Sequence, residues 1–197
     1  MIKIGLTGSI GMGKSAVAKM FIREGVPVFD ADAEVHRLQA KGGALVAAIE
    51  ARFPGSTGEN GVNRAKLGPA VLGKPHELRA LENIIHPAVA RARNIFLRRH
   101  RAKQFVVLDI PLLFEKRGWK GVDMIIVVSA PAWVQRKRVL ARPGMNVAKF
   151  KAIKRLQTPD AVKRARADVV INTALLKRGT VGQVRALITC LRSKTRR

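Results

Sequence analysis

Residues 8–15 read GSIGMGKS, set between IKIGLT (2–7) and KSAVAKMFIREG (14–25). The upstream stretch is an apolar run of strand length, and the downstream one has a helical pattern with Gly25 as its stop. Four glycines fall between residues 5 and 13. Glycine lets a backbone take positive φ and approach a ligand without a Cβ in the way. A turn of this kind at a helix N-terminus aims successive N–H groups inward as an anion nest.

The octet matches G-x-x-x-x-G-K-[ST], the P-loop, with the required strand before it and helix after it. Gly8, Gly11, Met12, Gly13, Lys14, Ser15 and Ala16 are therefore candidate phosphate-binding residues. The N–H groups of residues 11–16 form the nest, Lys14 reaches the β- and γ-phosphates of a nucleotide, and the Ser15 hydroxyl can ligate Mg²⁺. A nucleotide site leaves the reaction open among small-molecule kinases, GTPases and ATPases acting on macromolecules. No [NT]-K-x-D guanine motif occurs near the late strand, where the chain reads INTA, and this argues against a GTPase.

Outward from the loop, strands and helices alternate. VPVF (26–29), FVVLD (105–109), VDMIIVVSA (122–130) and DVVIN (168–172) read as further strands. Helices are expected over 31–41, 44–53, 131–142, 146–157, 159–167 and 180–192. This pattern predicts an α/β fold with a five-stranded, mostly parallel sheet and helices on both faces. PGSTGENG (54–61) reads as a loop. Residues 64–103 read as several basic helices broken by Pro75 and Pro87, so that 42–103 forms a helical insertion without strands. The core would be 1–41 and 104–197.

Two carboxylate positions stand at strand ends. Asp109 closes FVVLD, where an aspartate of a P-loop protein lies near Mg²⁺ and its waters. Asp30 and Asp32 flank Ala31 at the start of a helix. Either can cap it, and either can orient and deprotonate an acceptor hydroxyl. Arg138 and Arg142, four apart on an expected helix, are candidates to steady a transferring phosphoryl group from a mobile lid over about 138–160.

Of 197 residues, 38 are Lys or Arg and 13 are Asp or Glu, a net charge of +25. Residues 98–197 carry 25 of the basic and 5 of the acidic residues, and the chain closes on the basic RSKTRR. That balance points either to an anionic partner or to a solvated basic surface, since the basic residues are spread over the expected helical faces. Nucleic acid is disfavoured, because no RNA or DNA module is recognisable and aromatics are 5% of the chain with no tyrosine. One cysteine, Cys190, excludes an internal disulfide. No apolar run approaches the roughly 18–20 residues of a bilayer span, and no signal peptide is evident. The expectation is a soluble cytoplasmic protein, a monomer or weak homo-oligomer.

Taken together, IGLTGSIGMGKS, VFDAD, His86-Pro87, DIPLLFE, QRKRVLAR and the Q-x-P-x-x-x-K-R-A-R-A-D-x-V-I run at 157–171 resemble the dephospho-CoA kinase family nearly end to end. The resemblance implies ATP- and Mg²⁺-dependent phosphorylation of the ribose 3′-hydroxyl of dephospho-CoA. Asp32 would be the base, and Lys14 and Arg142 would act on the phosphoryl group. Arg138 and Arg142 would contact phosphates at the start of the lid. The insertion around His86 would form the CoA side, with Pro111, Leu112, Leu113 and Glu115 lining the same cleft. Departures from the family pattern are Ala16 for a usual threonine, Asn172 for a usual acidic residue and Thr173 for a common asparagine.

Overall fold

A computed structural model describes residues 1–115 and 118–194. Lys116 and Arg117, in the expected loop after the 105–109 strand, and 195–197, the end of the basic tail, lie outside the described residues. The chain forms two compact units, Met1–Phe29 with His100–Arg197, and Asp30–Arg99.

The larger unit is built on the sheet. Its strands are β1 (Ile2–Thr7), β2 (Val28–Asp30, which ends at the unit boundary), β5 (Phe105–Asp109), β6 (Met124–Ser129) and β7 (Val169–Asn172), in spatial order β2-β5-β1-β6-β7. β1 lies parallel to both β5 and β6, with Ile4 opposite Val107 and Met124, and β6 is parallel to β7. The central strands are mostly apolar because both faces are covered, with Lys3, Thr7, Asp109 and Ser129 as the polar positions. On one face Ile4, Leu6, Phe105, Val107, Ile126 and Val128 pack with Val17 and Phe21 of α1 (Lys14–Arg23) and Val184, Ile188 and Leu191 of α9 (Lys177–Lys194). On the other, Val127 and Ile125 meet Leu113, Phe114 and Ala167. The residue after α1, Glu24, and the turn at Gly25, with φ +75°, end that helix as expected.

The remaining helices of this unit are α6 (Ala132–Leu140), α7 (Val147–Arg155) and α8 (Asp160–Ala165), with a 3₁₀ turn at Gly118–Gly121. The helix expected to reach residue 142 stops at Leu140. Arg142 sits in the following turn, its N–H donating to the Val139 carbonyl, so Arg138 and Arg142 do not share a helical face.

The smaller unit contains α2 (Ala31–Gln39), α3 (Val46–Arg52), β3 (Thr57–Gly58), β4 (Gly61–Val62), α4 (Arg64–Val71) and α5 (Pro75–Arg99). Two expectations are corrected here. The 54–61 segment is not all loop: β3 and β4 form an antiparallel hairpin, with Thr57 opposite Val62. Glu50 stabilises it by accepting from the N–H groups of Gly55 (2.6 Å) and Thr57 (3.0 Å) and from the Thr57 hydroxyl (2.6 Å). Pro87 does not divide the helix either. α5 runs unbroken for 25 residues. An interior proline costs a helix about 3 kcal/mol. The burial of Leu81 and Ala88 against Leu38, Ile49 and Leu67, with Ile84, Ile85 and Val89 packed alongside, offsets that cost.

Candidate active site

The glycine loop joins the carboxyl end of β1 to α1. Gly11 (φ +77°) and Gly13 (φ +90°) both occupy the left-handed region. A Cβ at Gly11 would stand 2.5 Å from Val139 Cγ2, and one at Gly13 would stand 3.2 Å from Thr173 Oγ1. Both glycines are therefore demanded twice, by backbone conformation and by close packing. The Met12 N–H donates to the Ser9 carbonyl (3.1 Å) and the Ala16 N–H to that of Gly13 (3.1 Å). Among residues 11–16 this narrows the expected nest: the N–H groups of Gly11, Gly13, Lys14 and Ser15 have no protein partner among the described residues. Four unsatisfied donors at a helix N-terminus make a site for oxyanions.

Lys14 and Asp109 meet directly. The Lys14 ammonium donates to Asp109 Oδ1 at the carboxyl end of β5, next to β1. The Asp109 side chain is nearly fully buried and that of Lys14 mostly so. Ser15 is exposed one residue along α1. The hydroxyl of Ser15 and the carboxylate of Asp109 are hard oxygen donors of the kind Mg²⁺ accepts. No cluster of three or more His, Cys, Asp or Glu able to hold a metal occurs among the described residues. A hard cation here would thus take few protein ligands and complete its shell with phosphate and water oxygens, as Mg²⁺ does.

Four residues outside the motif secure the loop. Thr173 Oγ1 donates to the Met12 carbonyl (2.7 Å), and Arg138 donates to Thr173 Oγ1 (3.1 Å) and O (2.7 Å). Arg138 is therefore stitched to the P-loop through the end of β7. The peptide of Ile10 is gripped from both sides: its N–H donates to Gln157 Oε1 (3.0 Å), and its carbonyl accepts from Gln135 Nε2 (2.9 Å). Gln135 is 2% exposed. A glutamine on the buried face of α6, one turn before Val139, was the available sequence signal. Thr173 and Gln157 gave none by themselves. A cleft of about 570 Å³ adjoins the loop, lined by Ser9, Met12, Gln135, Gln157, Asp160 and Asn172 among others.

The residues after β5 divide. Pro111 is half-buried and its carbonyl accepts from the Thr7 hydroxyl (3.1 Å), while Leu112 is exposed. Leu113, expected to line a substrate cleft, is fully buried in the sheet's second core, so its side chain has no surface to offer a ligand. Glu115 is engaged internally as well. It accepts from the Thr158 N–H (2.8 Å) and pairs with Lys163 (2.9 Å), whose side chain is fully buried. Burial pushes the Glu115 carboxyl upward. The Lys163 and Thr158 hydrogen bonds, with the charge of Lys163, outweigh it and hold the group below its usual range.

In the smaller unit, Asp30 Oδ1 accepts from the Ala33 N–H (2.9 Å) and caps α2. Asp32, in the first turn, is exposed, and its carboxylate has no hydrogen-bond or ion-pair partner among the described residues. The capping and reactive readings of the two aspartates thus separate onto different residues. His86 is exposed on α5.

Comparison with known proteins agrees with this geometry. The dephospho-CoA kinase family model matches residues 2–177. The chain is 60% identical over 194 residues to a protein named dephospho-CoA kinase from Novosphingobium aromaticivorans, covering 98% of this chain and 96% of that one. It is 48% identical to another from Zymomonas mobilis, covering 97% of each. A solved structure from Thermus thermophilus, 36% identical, superposes with a TM-score of 0.82 over 98% of this chain and 97% of that one. With its P-loop, its lysine–aspartate pair and its full-length likeness to these proteins, this chain belongs to the dephospho-CoA kinase family.

Proposed function

We propose that the protein transfers the terminal phosphoryl group of ATP to the ribose 3′-hydroxyl of dephospho-CoA, giving CoA and ADP, the last step of CoA biosynthesis. The carrying observation is the open anion nest beside the Lys14–Asp109 pair, in a chain 60% identical to a named dephospho-CoA kinase. In this reading the N–H groups of Gly11, Gly13, Lys14 and Ser15 receive phosphate oxygens. Asp32 orients the 3′-hydroxyl and accepts its proton as the new O–P bond forms and the bond to the ADP oxygen breaks. Lys14 and Arg142 offset charge on the phosphoryl group. Ser15 and Asp109 would hold Mg²⁺, which when bound neutralises charge on the β- and γ-phosphates.

Residues 138–160 act as a lid that excludes water, carrying Arg142 on its first turn. His86, Pro111 and Leu112 serve the acceptor side, with 42–103 as its larger part. The protein works in the cytoplasm as a monomer or weak homo-oligomer and without nucleic acid. No helix among the described residues is long and apolar enough to cross a membrane.

The test is a coupled ADP-release assay with Mg-ATP, with and without dephospho-CoA, and a mass measurement on the product. ADP release that requires the acceptor and adds one phosphate at the 3′ position is expected. Release indifferent to the acceptor would refute the reading.

A further inference from the structure

We propose that Arg64 is a binding residue for the 5′-diphosphate of the acceptor, held in place by His36 on the same helix as Asp32. The proposal rests on the reading of dephospho-CoA as acceptor and Asp32 as its base, and it lies wholly within the smaller unit.

The argument begins with charge. Two arginines of this unit are neutralised: Arg37 by Glu34 (2.6 and 3.0 Å) and Arg52 by Glu77 (2.5 Å). Arg64 is not. Among the described residues its guanidinium meets Gln39 Oε1 at 3.3 Å and the His36 ring nitrogens at 2.9 and 3.2 Å, and no carboxylate. A neutral imidazole accepts at one nitrogen only, so one of the two ring contacts is a donated hydrogen bond and the other a close approach. The cation is thus fixed in direction, exposed, and without a carboxylate partner among the described residues.

The backbone puts it there deliberately. Gly61 has φ +93° and bridges to Ala40 at the end of α2, and a Cβ on Gly61 would stand 2.3 Å from the Gln39 carbonyl oxygen. Only glycine permits that approach, which seats the end of the hairpin on α2. Asn63 then caps α4 through its side chain, accepting from Ala65 N–H (3.0 Å) and Lys66 N–H (3.2 Å), and Arg64 is the first residue of that helix.

Asp32 and His36 stand four residues apart on α2, so they share a face at about 6 Å between Cβ atoms. The acceptor carries its 3′-hydroxyl and its 5′-phosphate ester on one ribose. A carboxylate for the first therefore needs a cation a few ångströms away for the second. Arg64 supplies a planar donor fork, matched to phosphate oxygens, where a lysine would supply only a point charge.

The experiment is steady-state kinetics of the full chain with dephospho-CoA and ATP varied separately, on R64A, R64K and H36A, each checked for an unchanged melting profile. Arg64→Ala should raise KM for dephospho-CoA by about 10–100-fold, as for one lost charged hydrogen-bonding pair, with KM for ATP and kcat nearly unchanged. Arg64→Lys should recover part of the loss, and His36→Ala should show a smaller defect of the same kind. An unchanged KM for dephospho-CoA in folded R64A overturns the proposal. So does a fall in kcat with both KM values raised, because that marks general disturbance of α2. Absence of dephospho-CoA turnover in the wild type would instead remove the acceptor assignment beneath it.

Discussion

At the scale of single residues, the proposed reaction calls on groups whose chemistry other residues cannot copy. Lys14 is the cation of the loop, and its removal leaves the nest without its charge. Lys14→Ala should lower kcat/KM by about 100-fold or more with the fold retained but a lowered melting temperature, because the nearly buried Asp109 loses its cation; an unaltered rate in the coupled assay would contradict the assignment. The Asp32 carboxylate has no hydrogen-bond or ion-pair partner among the described residues, so Asp32→Asn should leave the fold and ATP affinity intact. Turnover should nevertheless fall by about two orders of magnitude or more, because an amide cannot take the proton. Calorimetric titration with ATP beside the rate assay separates the two effects. Gly11 shows the opposite balance. Gly11→Ala forces an L-residue into positive φ and drives its Cβ against Val139, so denaturant unfolding should report a loss of at least about 1–2 kcal/mol.

At the scale of elements, local rules and tertiary packing disagree in two places. α5 contains Pro87 at an exposed position. Restoring the missing N–H should gain more than the lost rigidity of the unfolded chain removes. Pro87→Ala is therefore expected to stabilise the protein by up to about 2 kcal/mol, readable as a raised midpoint in denaturant. The second place is the tie between the segment after β5 and α8. Lys163 is fully buried with Glu115 as its ion-pair partner. Because the folded-state pKa of Glu115 is depressed, its contribution is fully present above the unfolded carboxylate value of about 4.3 and fades as pH falls through the folded value. Glu115→Gln should thus destabilise strongly near neutral pH, by about 3–5 kcal/mol for a buried cation left unpaired. Its melting temperature should converge on the wild type's as the pH falls through the depressed folded-state value of Glu115.

At the scale of the whole molecule, a net charge of +25 on 197 residues is the dominant electrostatic fact. Few carboxylates are available to screen it, and self-repulsion opposes compaction. Raising salt from very low levels to about 0.15 M, where the screening length is about 8 Å, should raise the melting temperature. A flat or falling response would show that the charge is already balanced by local pairing.

The strand-forming runs, the loop between β1 and α1 and the positions of Lys14, Asp32 and Asp109 were legible in the sequence, because each depends on short-range causes. Periodicity identifies buried strands, glycine spacing identifies a phosphate-binding turn, and a carboxylate at a strand end follows from chain order alone. The tertiary structure decided the rest. The unbroken α5 depends on packing partners distant in sequence, and the β3–β4 hairpin on the Glu50 side chain and the Ala40–Gly61 bridge, which outweigh local turn and proline preferences. The burial of Leu113, the engagement of Glu115 by Lys163 and the stitching of Thr173 and Gln157 to the P-loop are long-range pairings with no local signature. The seating of Arg64 on His36 belongs with them: it rests on one glycine whose close approach to α2 appears only when the chain is folded.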